Sequence, residues 1–185
     1  MMKIGITGGI GSGKSYVCAR LAALGIQVYD CDSAAKRLIR TSAAIRQQLT
    51  ALTGPDTYHH DGTLNKTVVT QFLLTSEVNA KAIDDIVHPV VAEDFKQSGA
   101  TWMECAILYE SGFDRLVNRV IAVTAPLEVR IDRVMRRDHI SREKTLEWMK
   151  RQWPQEQVCQ KADFEIVNDG IQDIDLQIKN IINQL

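Results

Sequence analysis

Gly8-Gly9-Ile10-Gly11-Ser12-Gly13-Lys14-Ser15 satisfies G-x-x-x-x-G-K-[ST] at every fixed position, seven residues into the chain. The chemistry this serves is the capture of a polyphosphate. Backbone N–H groups must curl around the anion, so the loop needs residues that accept positive φ and bring no side chain inward. Glycines at 8, 9, 11 and 13 meet that need. Lys14 supplies a point charge for the β/γ-phosphates, Ser15 a hydroxyl for Mg²⁺, and the helix that starts there turns its N-terminal dipole toward the anion. The competing reading is an ordinary strand-to-helix turn whose glycines serve geometry alone. The Lys-Ser register, with the apolar run Lys3 to Thr7 before it and a helical pattern of Val17, Leu21 and Leu24 after it, favours nucleoside triphosphate handling.

Phosphoryl transfer also asks for an acceptor of the attacking hydroxyl's proton and for cations against the transferring group. Asp30-Cys31-Asp32 ends an expected second strand. One carboxylate of the pair suits hydrated Mg²⁺, and Asp32 is the better base because Asp30 belongs to the strand end. A strand-end turn with an Asp capping the next helix fits the same spacing. The cations are clustered: of twelve arginines, Arg130, Arg133, Arg136, Arg137, Arg142 and Arg151 fall between 130 and 151. On a helix from Leu127, Ile131, Val134 and Met135 form one stripe and Arg130, Arg133 and Arg137 the adjacent face. A break at His139-Ile140-Ser141 and a second helix from Arg142 to Pro154 complete a helical hairpin. Interspersed acids make most of these arginines solvated partners; the two or three on one face suit a lid closing cations over phosphate. Glu110 closes the expected third strand without forming a strong second nucleotide motif. His59 and His60 fall in a turn, Pro89 predicts a helix break beside His88, and Trp102, Trp148 and Trp153 read as packing residues.

These groups need a scaffold. Strands are expected at Lys3–Thr7, Gln27–Asp30, Trp102–Tyr109, Arg119–Thr124 and Phe164–Asn168, separated by helical stretches, which predicts an α/β, doubly wound, mainly parallel sheet with ligands at the carboxyl ends of its strands. Residues 33–98 form a helical insertion too long for a simple crossover. Ser33 is expected to cap its first helix and Ser42 its second, with a stop at Gly54-Pro55 and further helices over about 65–75 and 76–97. At 185 residues the chain is sized for one core with insertions. A net charge of −1, from 22 Lys+Arg against 23 Asp+Glu, gives no global field for nucleic acid or anionic membrane. Cys18, Cys31, Cys105 and Cys159 form no C-x-x-C pair and read as reduced thiols. No apolar run approaches membrane-spanning length, and the first strand follows Met-Met-Lys directly, so a cytoplasmic protein is expected.

Taken together, Ile6 to Ser15, Asp30-Cys31-Asp32, His88-Pro89, the arginine-rich hairpin, Gln152 and Ala162-Asp163 with Asn168 resemble the dephospho-coenzyme A kinase family along essentially the whole chain. The resemblance implies a P-loop NTPase of the nucleoside-monophosphate-kinase-like type, with a helical substrate domain at 33–98 and a lid at 127–151. It implies ATP-dependent phosphorylation of the 3′-hydroxyl of dephospho-coenzyme A, with Mg²⁺ and without nucleic acid, membrane or an obligate protein partner. Carried over, Gly11, Ser12, Gly13, Lys14, Ser15 and Tyr16 would bind ATP, and Asn168 would lie near the adenine. Thr7 and His88 would lie near the substrate, Asp32 would be the base, and Arg137 would be the lid arginine at the phosphates. Two departures stand out: Cys31 where the family has Ala, and Glu104-Cys105-Ala106 where it has Asp-Val-Pro. Rival readings are another small P-loop kinase for a nucleoside monophosphate or small alcohol, and a nucleotide-dependent switch. The switch lacks its guanine reader, because Asn65-Lys66-Thr67-Val68 has no Asp.

Overall fold

The computed structural model describes all residues from 1 to 185, and the chain divides into two compact units, residues 1–29 with 100–185, and residues 30–99. Five strands, β1 (Ile4–Thr7), β2 (Val28–Asp30), β3 (Trp102–Glu104), β4 (Arg119–Thr124) and β5 (Phe164–Val167), form one sheet in the order β2-β3-β1-β4-β5. The helices are α1 (Lys14–Ala23), α2 (Cys31–Thr41), α3 (Ala43–Thr53), α4 (Lys66–Thr75), α5 (Glu77–Gln97), α6 (Leu127–Asp138), α7 (Arg142–Met149), α8 (Gln155–Lys161) and α9 (Ile174–Ile182).

In the first unit β1 runs parallel to both β3 and β4, and β4 runs parallel to β5, which bears out the doubly wound expectation. The central strands are short and apolar because both of their faces are covered. Ile4, Ile6, Ile121, Val123 and Ile166 pack with Val17 and Leu21 of α1 and with Ile174, Ile178 and Ile181 of α9 in one core. The register brings Thr7 level with Ala122, so the carboxyl ends of β1 and β4 lie together.

Strand β3 is shorter than its apolar run predicts. It ends at Glu104; Cys105 N–H donates to Ile6 O at 3.0 Å, and the chain then turns, with Ser111 N–H donating to Ile107 O and Phe113 N–H to Leu108 O. Leu108, Tyr109 and Phe113 are buried by that turn rather than by a strand. A continuous apolar run reports burial and does not distinguish the two. Glu110 therefore does not close a strand; it accepts from the Trp153 N–H at 2.9 Å.

The second unit is helical. Helix α5 packs against α2, α3 and α4, burying Ile83, Val87, Val91 and Phe95, which recur every fourth residue. That stripe explains why the helix expected over about 76–97 runs through Pro89 without the break expected beside His88. The ring removes one helical hydrogen bond, and the apolar contacts on either side of it hold the two halves in register. Ser42 caps α3 by accepting from Ile45 N–H, and Gly54, at φ 101°, stops it before Pro55. Helix α2 begins three residues earlier than a Ser33 cap would allow, in keeping with the alternative of an Asp at the strand end capping it. Asp30 is its cap, accepting from the Ser33 N–H at 3.0 Å and from the Ser33 hydroxyl at 2.7 Å.

Phe95 is wholly buried. Phe95→Ala is expected to cost about 3–5 kcal/mol in chemical denaturation, the range for deleting a buried aromatic ring; a loss below 1 kcal/mol would remove it from the core of this unit.

Candidate active site

The glycine loop links β1 to α1, and its backbone takes the left-handed geometry that only glycine adopts freely. Gly8, Gly11 and Gly13 have φ of 147°, 80° and 93°. Space is a second constraint. A Cβ on Gly8 would collide with the Val123 carbonyl, one on Gly11 with the backbone of Arg130, and one on Gly13 with the Asn168 amide. Strand β4, helix α6 and the residue after β5 thus press on the loop from outside.

Lys14, the first residue of α1, donates from Nζ to the Gly8 carbonyl at 2.8 Å, so the side chain folds back along the loop. Its Nζ is 3.9 Å from Glu104 Oε1, and both side chains are largely buried. Glu104 is the carboxylate at the true end of β3. The expectation that this strand continues to Tyr109 puts Glu104 within it and favours Glu110 as its closing carboxylate; the rule that site residues follow strand ends selects Glu104 once the strand is cut at 104. Ser15 and Tyr16 are exposed in the first turn of α1. Thr7 is buried at the end of β1. Ser12 is buried too, its hydroxyl without a hydrogen-bond partner.

Asn168 directly follows β5. Its N–H donates to Thr124 O at 2.7 Å, its Nδ2 to Ser12 O at 2.9 Å, and its Oδ1 accepts from Arg133 at 3.4 Å. The amide is thereby committed to fastening β5 to the loop. Gly13, Tyr16, Arg133 and Asn168 line one cleft of about 580 Å³ with Gly170, Gln172 and Ile174, within the range of small-ligand sites.

The hairpin arginines divide. Arg130, 8 % exposed, donates from Nε to the Ile10 carbonyl at 3.0 Å. Burial works against its charge and lowers its pKa from the ordinary arginine value. Arg133 reaches the Gly11 and Ser12 carbonyls at 3.4 and 3.3 Å. Arg137 instead makes a two-point pair with Asp138, at 2.9 and 2.7 Å, which raises its pKa. Outside the loop contacts the hairpin is laced by exposed pairs: Arg142 with Glu128 at 2.6 and 2.7 Å, Glu147 with Lys144 and Arg151, and Arg136 with Asp132. Helix α6 ends at His139 in the left-handed region (φ 54°), a residue type enriched there.

In the helical unit, both Asp30 oxygens are engaged by Ser33, whereas Asp32 is exposed in the first turn of α2 with no hydrogen bond or ion pair. Cys31 between them is buried. His88 Nε2 lies 3.5 Å from Asp84 Oδ1, one turn earlier on α5. No helix of the protein is long and apolar enough to cross a membrane.

A five-stranded parallel sheet whose first strand feeds a glycine loop, a lysine folded along that loop and arginines from a helical hairpin against it define a P-loop phosphotransferase. A model of the dephospho-CoA kinase family matches residues 2–173, and the chain belongs to that family. A dephospho-CoA kinase of Bacteroides fragilis is 40% identical over 188 residues, covering 98% of this chain and 91% of that one. Among solved structures, TT1252 from Thermus thermophilus superposes with a TM-score of 0.84 at 31% identity, over 100% of this chain and 97% of the other. A dephospho-CoA kinase from Campylobacter jejuni, at 19% identity and a TM-score of 0.68 over 98% and 96% of the two chains, shares the fold.

Gly13→Ala tests the cradle. A left-handed alanine costs about 1–3 kcal/mol and displaces Asn168, so calorimetric binding of a non-hydrolysable ATP analogue is expected to weaken by at least tenfold. Unchanged affinity would show that this backbone does not hold the phosphates.

Proposed function

We propose that the chain catalyses ATP-dependent phosphorylation of the 3′-hydroxyl of dephospho-coenzyme A, giving coenzyme A and ADP. The observation that carries this reading is the phosphate loop with Lys14, Arg130 and Arg133 gathered on it, in a chain of this family. The loop amides and Lys14 bind the β- and γ-phosphates, and Gly13, Tyr16 and Asn168 wall the cleft for the nucleoside. The helical unit of residues 30–99 takes the acceptor, with His88 and Thr7 among the residues toward it. Residues 127–151 act as the lid.

Chemistry at the hydroxyl belongs to Asp32. Asp30 is spent as a helix cap, so Asp32 is the member of the pair left to accept the proton as the oxygen attacks the γ-phosphorus in line. Arg137 is held on Asp138, and we assign it to the transferring phosphoryl group once that pair is exchanged for phosphate oxygens. Guanidinium pairs equally well in two-point fashion with either partner.

The site suits Mg²⁺. The oxygen donors beside the phosphate loop are hard and few, namely the exposed Ser15 hydroxyl and the Glu104 carboxylate, as expected of an ion that keeps much of its water and takes the rest of its ligands from substrate phosphates. When bound, Mg²⁺ would neutralise charge on the β- and γ-oxygens. The charge balance and the lack of a membrane-crossing helix accord with a small-molecule enzyme of the cytoplasm.

Asp32→Asn is expected to lower kcat by about 10²–10⁴, the typical contribution of a general base, with ATP affinity kept; near wild-type kcat would remove Asp32 from the role. Arg137→Ala should depress kcat more than either KM if the cation meets charge chiefly in the transition state, and an effect confined to KM would overturn that assignment. ADP release measured with dephospho-coenzyme A, AMP, shikimate, thymidylate and water tests the substrate: turnover with the first alone supports the proposal, and turnover with another acceptor favours the rival small-molecule kinase.

A further inference from the structure

One residue of the phosphate loop is gripped on both sides. The Ile10 N–H donates to Gln152 Oε1 at 2.7 Å, and the Ile10 carbonyl accepts from Arg130 Nε at 3.0 Å. These two side chains stand at the two ends of the helical hairpin, Arg130 one turn into α6 and Gln152 three residues past α7. Each end is itself fixed. The Arg130 backbone lies against Gly11 and its guanidinium against Gly9, closely enough that a Cβ on either glycine would collide with it. Next to Gln152, the Trp153 N–H donates to Glu110 and the Trp153 ring stacks on Tyr109 at 5.7 Å between centroids, with Lys161 Nζ 5.1 and 5.3 Å from the two rings. Gln152 Nε2 also reaches the Ala106 carbonyl at 3.5 Å, tying the same side chain to the turn after β3.

The physical consequence concerns pre-organisation. A glycine-rich loop has many backbone conformations to lose on binding an anion, and a loop already held in its binding shape loses fewer. Gly8, Gly9, Gly11 and Gly13 make this loop the most flexible stretch of the first unit by composition. Ile10, between two of those glycines, is the point at which an external grip restrains the most freedom. A buried guanidinium with no carboxylate beside it, pointing its Nε at a loop carbonyl, is costly unless it serves such a purpose.

We propose that Arg130 and Gln152 are positioning residues for phosphoryl transfer: together they clamp Ile10 and hold the phosphate loop in its anion-binding shape, so that the hairpin's two ends set the loop's affinity for ATP. The proposal rests on the kinase reading above, and its test separates the two. Gln152→Met keeps the side-chain length but removes the acceptor. In the nucleotide-free protein, amide hydrogen exchange at Ile10, followed by NMR, is expected to accelerate by about tenfold, and Gln152→Glu, which retains an acceptor oxygen, is expected to stay protected. In turnover, Gln152→Met should raise KM for ATP by about 3- to 10-fold, the range for one lost hydrogen bond, with KM for dephospho-coenzyme A unchanged. Arg130→Met should act in the same direction, and the double variant should lose less than the product of the single effects, because both grips act on one residue. Unchanged Ile10 exchange in Gln152→Met would overturn the clamp. So would a uniform rise in both KM values accompanied by a fall in melting temperature, which would mark Gln152 as structural only. Absence of any turnover with dephospho-coenzyme A in the wild type would refute the kinase reading and leave the exchange measurement standing on its own.

Discussion

The phosphate loop combines a backbone that must turn left-handed at three glycines with neighbours that leave no room for a Cβ at any of them. Much of the first unit follows from satisfying both conditions at once. Parallel β1 and β4 carry the loop and the Val123 carbonyl to the same edge of the sheet, and β5 delivers Asn168, whose amide holds the Ser12 carbonyl. Helix α6 then crosses close enough for Arg130 and Arg133 to cap the remaining loop carbonyls. Five carbonyl acceptors, on Gly8, Gly9, Ile10, Gly11 and Ser12, are thus occupied from within the protein. With the oxygens turned toward the protein, N–H groups are left for an anion.

How far the sequence foretells this arrangement depends on which residues carry local signals. The loop, β1 and β4 are legible because G-x-x-x-x-G-K-S has few other uses and because short apolar runs between turn residues mark buried strands. The helical unit is legible to within a residue or two at Ser42, Gly54 and Ser76, where caps and a left-handed glycine punctuate the chain. Two misjudged elements share one cause, tertiary packing overriding a local cue, and a third is a contest between neighbouring caps. Cys105, Leu108, Tyr109 and Phe113 are buried by the turn after β3 rather than by a strand, and Pro89 is tolerated because α5 buries residues on both sides of it. Ser33 looks like a cap, yet the carboxylate three residues earlier captures its N–H and hydroxyl together.

The site residues show the same division. Lys14 and the glycines announce themselves, whereas Glu104, a departure from the family pattern in the sequence, is placed as the strand-end carboxylate only once the end of β3 is known. The six hairpin arginines are alike in sequence, and burial sorts them: Arg130 and Arg133 turn inward to carbonyls, and the other four pair with acids on the surface. Periodicity places Arg130, Arg133 and Arg137 on one face, but it carries no information about where along the helix that face meets the loop. Asn168 and Gln152 lie more than 140 residues from the loop atoms they hold, and no local pattern links positions so distant.

The exposed ion pairs of the hairpin respond to the medium; of these Glu128 with Arg142 joins α6 to α7, and the others run along a single helix or its end. Glu128 with Arg142, Glu147 with Lys144 and Arg151, and Asp132 with Arg136 all lie in water, where attraction fades as dissolved ions shorten the Debye length from about 10 Å at 0.1 M to about 3 Å at 1 M. The part-buried hydrogen bonds at the hairpin's two ends are less subject to that screening. Rising ionic strength therefore weakens the one charged link between the two helices, Glu128 with Arg142, while the hydrogen bonds on Ile10 persist.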